Sequence, residues 1–563
     1  MAKQLIECVP NFSEGRDLGI IKQITDVIEA VEGVKLLDVD PGKATNRTVV
    51  TFVGEPEPVI EAAFQAIRKA SEVIDLSKHS GEHPRMGATD VCPLIPIANI
   101  SMEETAQYAH RLAERAGKSL NIPFYMYESA ATKAEWQNLA NIRAGEYEAL
   151  PEKLKKPEWK PDYGPAKFNP RAGATAIGAR DFLIAYNINL NTTSVRRANS
   201  VAFDVRENGR VKREGGTITG AILKDENGQP LREPGMCTGV KAIGWYIEEY
   251  GIAQISMNLT NIRETPLHIA FEACCKSAES RGLRVSGSEL VGLVPLKVML
   301  DAGRHFLKKQ RRSIGVSEEE VIKIAIKSLG LDELGPFDPH KKIIEYQMME
   351  ENTAPLLTMN LRDFADETAS ESPAPGGGSI SAYVGALGVS LATMVANLSA
   401  NKRSWDDRWE EFSDWAEKGQ HSKDALLKMV DEDTRSFNAI IAAFRLPKGT
   451  EEEKQARKKA IQAATQYAIE VPFQVMQTTL AAFDIIKGMA ETGNPNSVTD
   501  AGVGALCARA AIHGAFLNVK INAGDLEDQD FVKKVLKEGE EIVKKADRLE
   551  QEILTIVNGK IEV

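Results

Sequence analysis

The hydrophobic periodicity of this chain changes once, near residue 348, and that change limits the possible folds more than any other feature. Up to IIEYQM (343–348) strand-like and helix-like stretches alternate; from about 358 onward helical spacing dominates. In the first region KLLDVD (35–40), the β-branched NRTVVTFVG (46–54), IPFYMYESAA (122–131), FLIAYNINL (182–190) and GIAQISMNL (251–259) read as strands. Helical spacing runs through 56–75, 101–120 and 266–282, and Ser101 with Glu104 forms a capping-box pattern. The stretch 150–178 reads as irregular, and the Gly-rich polar segment 207–236 as a hairpin or surface insertion. Strand–helix–Gly-turn occurs twice, so two related α/β subdomains (an α+β sandwich) are expected at 1–182 and 183–348. A linker at 349–357 and an all-α helical-bundle domain at 358–563 complete a multidomain chain. A length of 563 residues fits that division, since one core rarely serves so many.

A net charge of -11 argues against general nucleic-acid binding, which needs a basic surface. The first residues lack the apolar core and cleavage site of a signal peptide. Cysteines at 8, 92, 237, 274, 275 and 507 show no CxxC spacing, so a reducing, cytoplasmic setting is expected. Residues 373–400 carry no charge and are long enough to span a bilayer. Their Gly, Ala and Ser content instead suggests a helix buried among helices, and no membrane span is expected.

Several motifs carry chemistry. HSGEHPRMG (79–87) places two of only eight histidines four residues apart on a Gly- and Pro-flanked loop. His83 there fits a proton shuttle, a surface histidine, or half of an HxxxH metal pair; Gly81 and Pro84 argue against the continuous helix that a metal pair needs. Asp38 and Asp40 end a strand on one face, as ligand groups or as turn formers before Pro41–Gly42. The segment 163–180 gathers Lys167, Phe168, Asn169 and Arg171, which suits a flat anionic ligand or a plain interdomain loop. APGGGS (374–379) precedes an apolar helix and offers backbone N–H groups to an anion, or simply starts the helix. Asp431, Glu432 and Asp433 are either a site or a solvated helix face, and Asp500 lies in a polar loop.

The blocks ECVPNFSEGR (7–16), LLDVDPGKATNRTVVTFVG (36–54), GEHPRMGATDVCPLIP (81–96), IRAGEYEALP (142–151), GSELVGLVPL (287–296), GPFDPHKKIIEY (335–346), APGGGS and MVDEDTRSFNA (429–439) resemble the formimidoyltransferase-cyclodeaminase family nearly end to end. The resemblance implies a bifunctional folate enzyme of histidine degradation. It would move the formimino group of N-formimino-L-glutamate to N5 of tetrahydrofolate, releasing glutamate. It would then cyclise 5-formiminotetrahydrofolate to 5,10-methenyltetrahydrofolate with loss of ammonia.

The family's motifs assign His83 as the transferase catalytic residue, Asp433 as the cyclodeaminase aspartate, and Gly164, Pro165, Ala166, Lys167, Phe168, Asn169, Pro170, Arg171, Ala172 and Gly173 as the folate-binding loop. Asp40 or Glu289 is expected to orient His83; the family carries Gln where this chain has Glu289, and segment 207–236 is longer here. Tetrahydrofolate, as a polyglutamylated co-substrate, and N-formimino-L-glutamate are the expected partners, with no metal, no nucleic acid and assembly into a homo-oligomer. Two alternatives concern the helical domain: a methenyltetrahydrofolate cyclohydrolase, or an oligomerising bundle alone.

Overall fold

The computed structural model describes residues 4–43, 45–81, 84–216, 219–348 and 355–561. They divide into two compact units, Met1–Val298 with Leu329–Met348, and Met299–Ser328 with Met349–Val563. The helices over 299–328, placed with 183–348 by the sequence reading, thus group with the helical unit.

In the first unit one sheet combines β1 (Leu5–Cys8), β2 (Asn11–Phe12), β3 (Val34–Gly42), β4 (Arg47–Gly54), β5 (Thr89–Ala98), β6 (Phe124–Glu128) and β7 (Thr175–Ala179). β3 flanks β4; β1 and β2 run antiparallel between β4 and β5; β7 joins β5 and β6 in parallel. Side chains alternate across each strand. Ile6, Cys8, Val50, Phe52, Cys92, Leu94, Phe124 and Met126 form one face of the core with helices Pro56–Val73 and Met102–Ser119. The opposite face presents Glu7, Asp38, Asp40, Arg47, Val49 and Thr51 to a cavity. The Ser101–Glu104 capping box forms, with hydrogen bonds of 3.1 and 2.9 Å. β7 begins inside the stretch, 150–178, read as irregular. Its sequence TAIGA is too short and small to show alternation, yet it is wholly buried between two parallel neighbours.

A second, antiparallel sheet orders β8 (Ile184–Leu190), β11 (Val240–Ile247), β12 (Ile252–Leu259) and β13 (Val285–Val291) as β11-β12-β8-β13. Between β8 and β11, the segment 207–236 contains a two-stranded ribbon, β9 (Arg210–Val211) with β10 (Arg232–Glu233), as a hairpin reading requires. Helices Val195–Val205 and Leu267–Glu279 belong to the same half. The two parts are therefore both α/β, one sheet mixed and the other antiparallel.

The second unit is helical. Gly377–Ala400, Trp409–Phe444, Glu451–Thr492, Val498–Ala523 and Gln529–Lys560 share one core cluster. A Cβ on Gly388 would lie 2.8 Å from the Gly504 carbonyl oxygen, and one on Gly504 equally close to that of Gly388, so two helices cross there backbone to backbone. Two stretches, Gly377–Ala400 and Pro495–Ala523, are long and apolar enough by composition to cross a membrane. Both contribute buried alanines and valines to this core, such as Ala386, Val389, Ala508 and Val519.

Candidate active sites

In the first unit both sheets contribute to a cavity of about 500 Å³. Asp38 and Asp40 from β3, Arg47 from β4, Glu7 from β1, Glu128 from β6, and Arg143, Arg180 and Lys241 give it four carboxylates and four cations among the described residues. Asp90 organises two of the cations. Fully buried, it accepts hydrogen bonds from Arg47 (2.5 Å) and Arg143 (2.8 Å) through Oδ2, and from the Met86 backbone N–H (2.9 Å) through Oδ1. Two guanidinium groups on one carboxylate leave net positive charge on the wall, suited to an anion. Burial pushes the Asp38 carboxyl up, with Lys342 opposing and Asp40 assisting. Burial also pushes Glu128 up, against Lys241 and Arg180; its backbone sits in the left-handed region at φ 52°. Asp90, Arg47 and Arg143 were missed from sequence, because an Asp between Thr89 and Val91 and an Arg opening a β-branched run look like ordinary strand residues.

His83 lies outside the described residues, but both flanks of its loop are fixed. On one side the His79 Nε2 lies 2.8 Å from the Asn46 carbonyl and Asn46 Nδ2 donates to the Ser80 carbonyl at 3.0 Å. Burial holds the His79 imidazole below its ordinary pKa. A Cβ on Gly81 would stand 2.2 Å from the Thr45 carbonyl oxygen, so only glycine passes beneath the β3–β4 turn. On the other side the chain joins the predicted folate loop: Ala174 N–H donates to the Met86 carbonyl and Ala88 N–H to the Ala172 carbonyl, at 3.0 and 2.9 Å.

The loop Gly164–Gly173 is built by its own polar groups. Asn169 Oδ1 accepts from the Arg171 and Ala172 N–H groups, and the Gly173 N–H donates to the Asn169 carbonyl. Phe168 packs on Tyr147 at 5.4 Å, and the Tyr147 hydroxyl donates to the Pro170 carbonyl at 2.7 Å. Arg85 lies over the Tyr147 ring and pairs with Glu148 at 2.8 Å. Lys167 is exposed. This loop therefore shares a neighbourhood with the His83 flank and contributes nothing to the cavity wall.

Asp40 lines the cavity. Glu289 does not. It stands on β13 and accepts from Asn187 Nδ2 (3.1 Å), Gln254 Nε2 (3.4 Å) and the Tyr250 hydroxyl (3.3 Å), so its oxygens are already engaged.

In the helical unit the acidic triplet separates by direction. Asp431 is buried and accepts from the Leu356 and Leu357 N–H groups, holding the start of the domain. Glu432 pairs with Arg435 at 2.7 Å. Asp433 meets the APGGGS motif: its Oδ2 accepts from the Ser379 backbone N–H (2.8 Å) and hydroxyl (3.1 Å), at the N-terminus of Gly377–Ala400. A Cβ on Gly378 would sit 2.1 Å from Asp433 Oδ1, so glycine is required for this approach. Burial raises the Asp433 carboxyl and the two Ser379 hydrogen bonds pull it back. Two motifs that sequence left separate are thus one site. Asp500 opens the helix Val498–Ala523 and is exposed to an intermediate degree.

Two α/β parts enclosing a charged cavity, followed by a helical unit with its own half-buried carboxylate, define a chain with two separate candidate centres. Residues 5–180 match the formiminotransferase domain, N-terminal subdomain; 185–349 match the formiminotransferase domain; 360–541 match formiminotransferase-cyclodeaminase. The formimidoyltransferase-cyclodeaminase of Gallus gallus is 45% identical over 533 residues, covering 94% of both chains. The glutamate formimidoyltransferase of Streptococcus pyogenes is 41% identical over 55% of this chain and 94% of its own length. The methenyltetrahydrofolate cyclohydrolase of Methylorubrum extorquens is 36% identical over 36% of this chain and 97% of its own. The chain belongs to the formimidoyltransferase-cyclodeaminase family.

Proposed function

We propose that the first unit transfers the formimino group of N-formimino-L-glutamate to N5 of tetrahydrofolate, and that the helical unit cyclises the product to 5,10-methenyltetrahydrofolate with release of ammonia. The observation that carries this reading is the convergence of separated motifs at two centres, each with carboxylates raised by burial, in a chain of this family. Attack of N5 on the amidine carbon makes a tetrahedral intermediate. N5 must lose a proton and the departing glutamate nitrogen must gain one; His83 does both. The guanidinium groups of Arg47 and Arg143 suit the glutamate carboxylates; Asp40 lines the same cavity, which supports reading it as the carboxylate that assists the transfer. Glu289, already committed to three donors, holds the polar face of the second sheet. The loop Gly164–Gly173 binds the folate, with Lys167 available to a polyglutamate tail.

In the second reaction N10 attacks the same carbon and ammonia leaves. Asp433 exchanges the protons; a carboxyl raised by burial holds its proton more often at neutral pH than a free one, so it can act as the general acid. The full chain supplied with 5-formiminotetrahydrofolate should release ammonia. His83→Ala should abolish glutamate release and leave that ammonia release intact, and Asp433→Asn should do the reverse. A single variant that abolishes both contradicts two independent centres. A second reading, a cyclohydrolase in the helical unit, is favoured by the 36% identity to the Methylorubrum extorquens enzyme; it requires hydrolysis of 5,10-methenyltetrahydrofolate without ammonia release from the formimino substrate.

The setting proposed is cytoplasmic, consistent with the free cysteines Cys8, Cys92, Cys237, Cys274, Cys275 and Cys507. A homo-oligomer is proposed from the helical unit, where Leu387, Met394 and Leu398 on one helix and Val503, Leu517 and Ile521 on another are exposed. Light scattering should show a Leu517→Glu/Ile521→Glu protein with fewer subunits than wild type; an unchanged mass refutes that face.

A further inference from the structure

Glu7 has no role in the chemistry above, yet its situation is the most unusual in the cavity. Its neighbours Ile6 and Cys8 point into the helix-packed core, which turns Glu7 toward the cavity. It is 1% exposed, and its Oε2 has no hydrogen-bond partner among the described residues. Burying a carboxyl without a donor is costly, and such groups in native folds call for an explanation. Burial pushes Glu7 up to about 7; Arg180 pulls it down and Glu345 pushes it further up. The group therefore changes protonation in the neutral range. The other titratable groups on the cavity are Asp38 and Asp40 from β3, Tyr127 and Glu128 from β6, and Lys241 from β11. Of the cations, Arg47 and Arg143 are bound to Asp90.

The cavity thus offers bound guanidinium groups and, on β1, an acceptor oxygen, Glu7 Oε2, with no donor among the described residues. N-formiminoglutamate has the complementary charges: two carboxylates and one protonated amidine. We propose that Glu7 is the receptor for the substrate's cationic amidine, its Oε2 accepting the amidine N–H groups. This rests on the transferase reading and assigns a substrate contact within that same site. Binding is proton-linked. The neutral carboxyl gives up its proton to solvent, and the resulting carboxylate pairs with the amidinium. The pairing also keeps the amidine protonated, so its carbon stays electrophilic when N5 attacks.

The test is calorimetric binding of N-formiminoglutamate to the full chain without tetrahydrofolate, at pH 6 and pH 8, in two buffers of different protonation enthalpy. A group with the stated pKa should release ~0.9 proton per site at pH 6 and ~0.1 at pH 8. Glu7→Gln should remove this release and the preference for N-formiminoglutamate over N-formylglutamate, which has the same two carboxylates but an uncharged formamide, expected to be ~10-fold or more in wild type. It should keep N-formylglutamate affinity within ~3-fold, because a glutamine leaves the cavity filled. A Glu7→Gln protein that keeps both preference and proton release overturns the proposal. If that variant loses all binding, Glu7→Asp decides: a recovered amidine preference supports the contact, and its absence overturns it. A wild-type chain that binds N-formiminoglutamate with the expected proton release, yet never frees glutamate in the presence of tetrahydrofolate, contradicts the transferase reading and leaves the amidine contact standing.

Discussion

Gly378→Ala is the smallest change that tests the helical centre. The new methyl carbon would stand 2.1 Å from Asp433 Oδ1, 2.5 Å from Cγ and 2.6 Å from Oδ2. Carbon–oxygen contacts settle at ~3.3 Å or more, so the carboxylate must withdraw by about 1 Å. That movement breaks the 2.8 and 3.1 Å hydrogen bonds from Ser379. Each charge-assisted bond contributes about 1.5–3 kcal/mol, and a 1 Å displacement of a reacting group costs roughly 10²-fold in rate. The cyclisation step should fall by about 10²-fold, a barrier increase of about 2.7 kcal/mol. The assay is ammonia release by the full chain from supplied 5-formiminotetrahydrofolate, with glutamate release in the transfer step as internal control. Ser379→Ala removes one of the two bonds that hold the Asp433 pKa down, so the acid limb of its pH profile should move to higher pH. Cyclisation within threefold of wild type in Gly378→Ala, with transfer intact, refutes the reasoning.

Two further predictions concern the first unit. Asp90→Asn leaves Arg47 and Arg143 as uncompensated buried cations, so urea denaturation should show a loss of about 3–5 kcal/mol; a loss below 1 kcal/mol refutes the triad as a stabilising group. Glu7 has a folded pKa raised from 4.5 to about 7, so the stability linked to its proton is present below 4.5 and is lost as pH rises through 7. Glu7→Gln should therefore raise the thermal midpoint at pH 8, by an amount reflecting up to about 3 kcal/mol, and change it little at pH 4.5; equal changes at both pH values refute the sign.

The strands and helices of the first unit were legible where β-branched runs and helical spacing are strong, as in β4 and Pro56–Val73. β7 was not, because a strand buried on both faces needs no alternation and Thr-Ala-Ile-Gly-Ala offers none. Composition left the GEHPRMG loop open between a proton shuttle, a surface histidine and a metal pair, and its anchorage was not legible: it depends on contacts with Asn46 and with Met86–Ala174, distant in sequence. The acidic triplet shows the limit most clearly. Successive helix residues point about 100° apart, so Asp431, Glu432 and Asp433 share a spacing and have three different environments. Only packing shows that one holds a backbone, one pairs with Arg435 and one meets Ser379.

Glu7 and Asp433 are raised by the same cause and differ in what opposes it. Burial lifts both Glu7 and Asp433. Asp433 is restrained by two hydrogen bonds at a helix N-terminus, where the peptide dipoles also favour negative charge. Before substrate arrives, its proton balance is therefore set by groups of the protein itself. Glu7 has Arg180 as its principal opposing charge and no donor on Oε2 among the described residues, so its balance is left open to whatever enters the cavity. A centre that must return a proton within one turnover suits the first arrangement; a subsite that discriminates a cation from its neutral analogue suits the second. The difference has an observable consequence: a cationic ligand should shift the titration of Glu7 strongly downward, while ligands of the first unit should leave the pH profile of cyclisation unchanged.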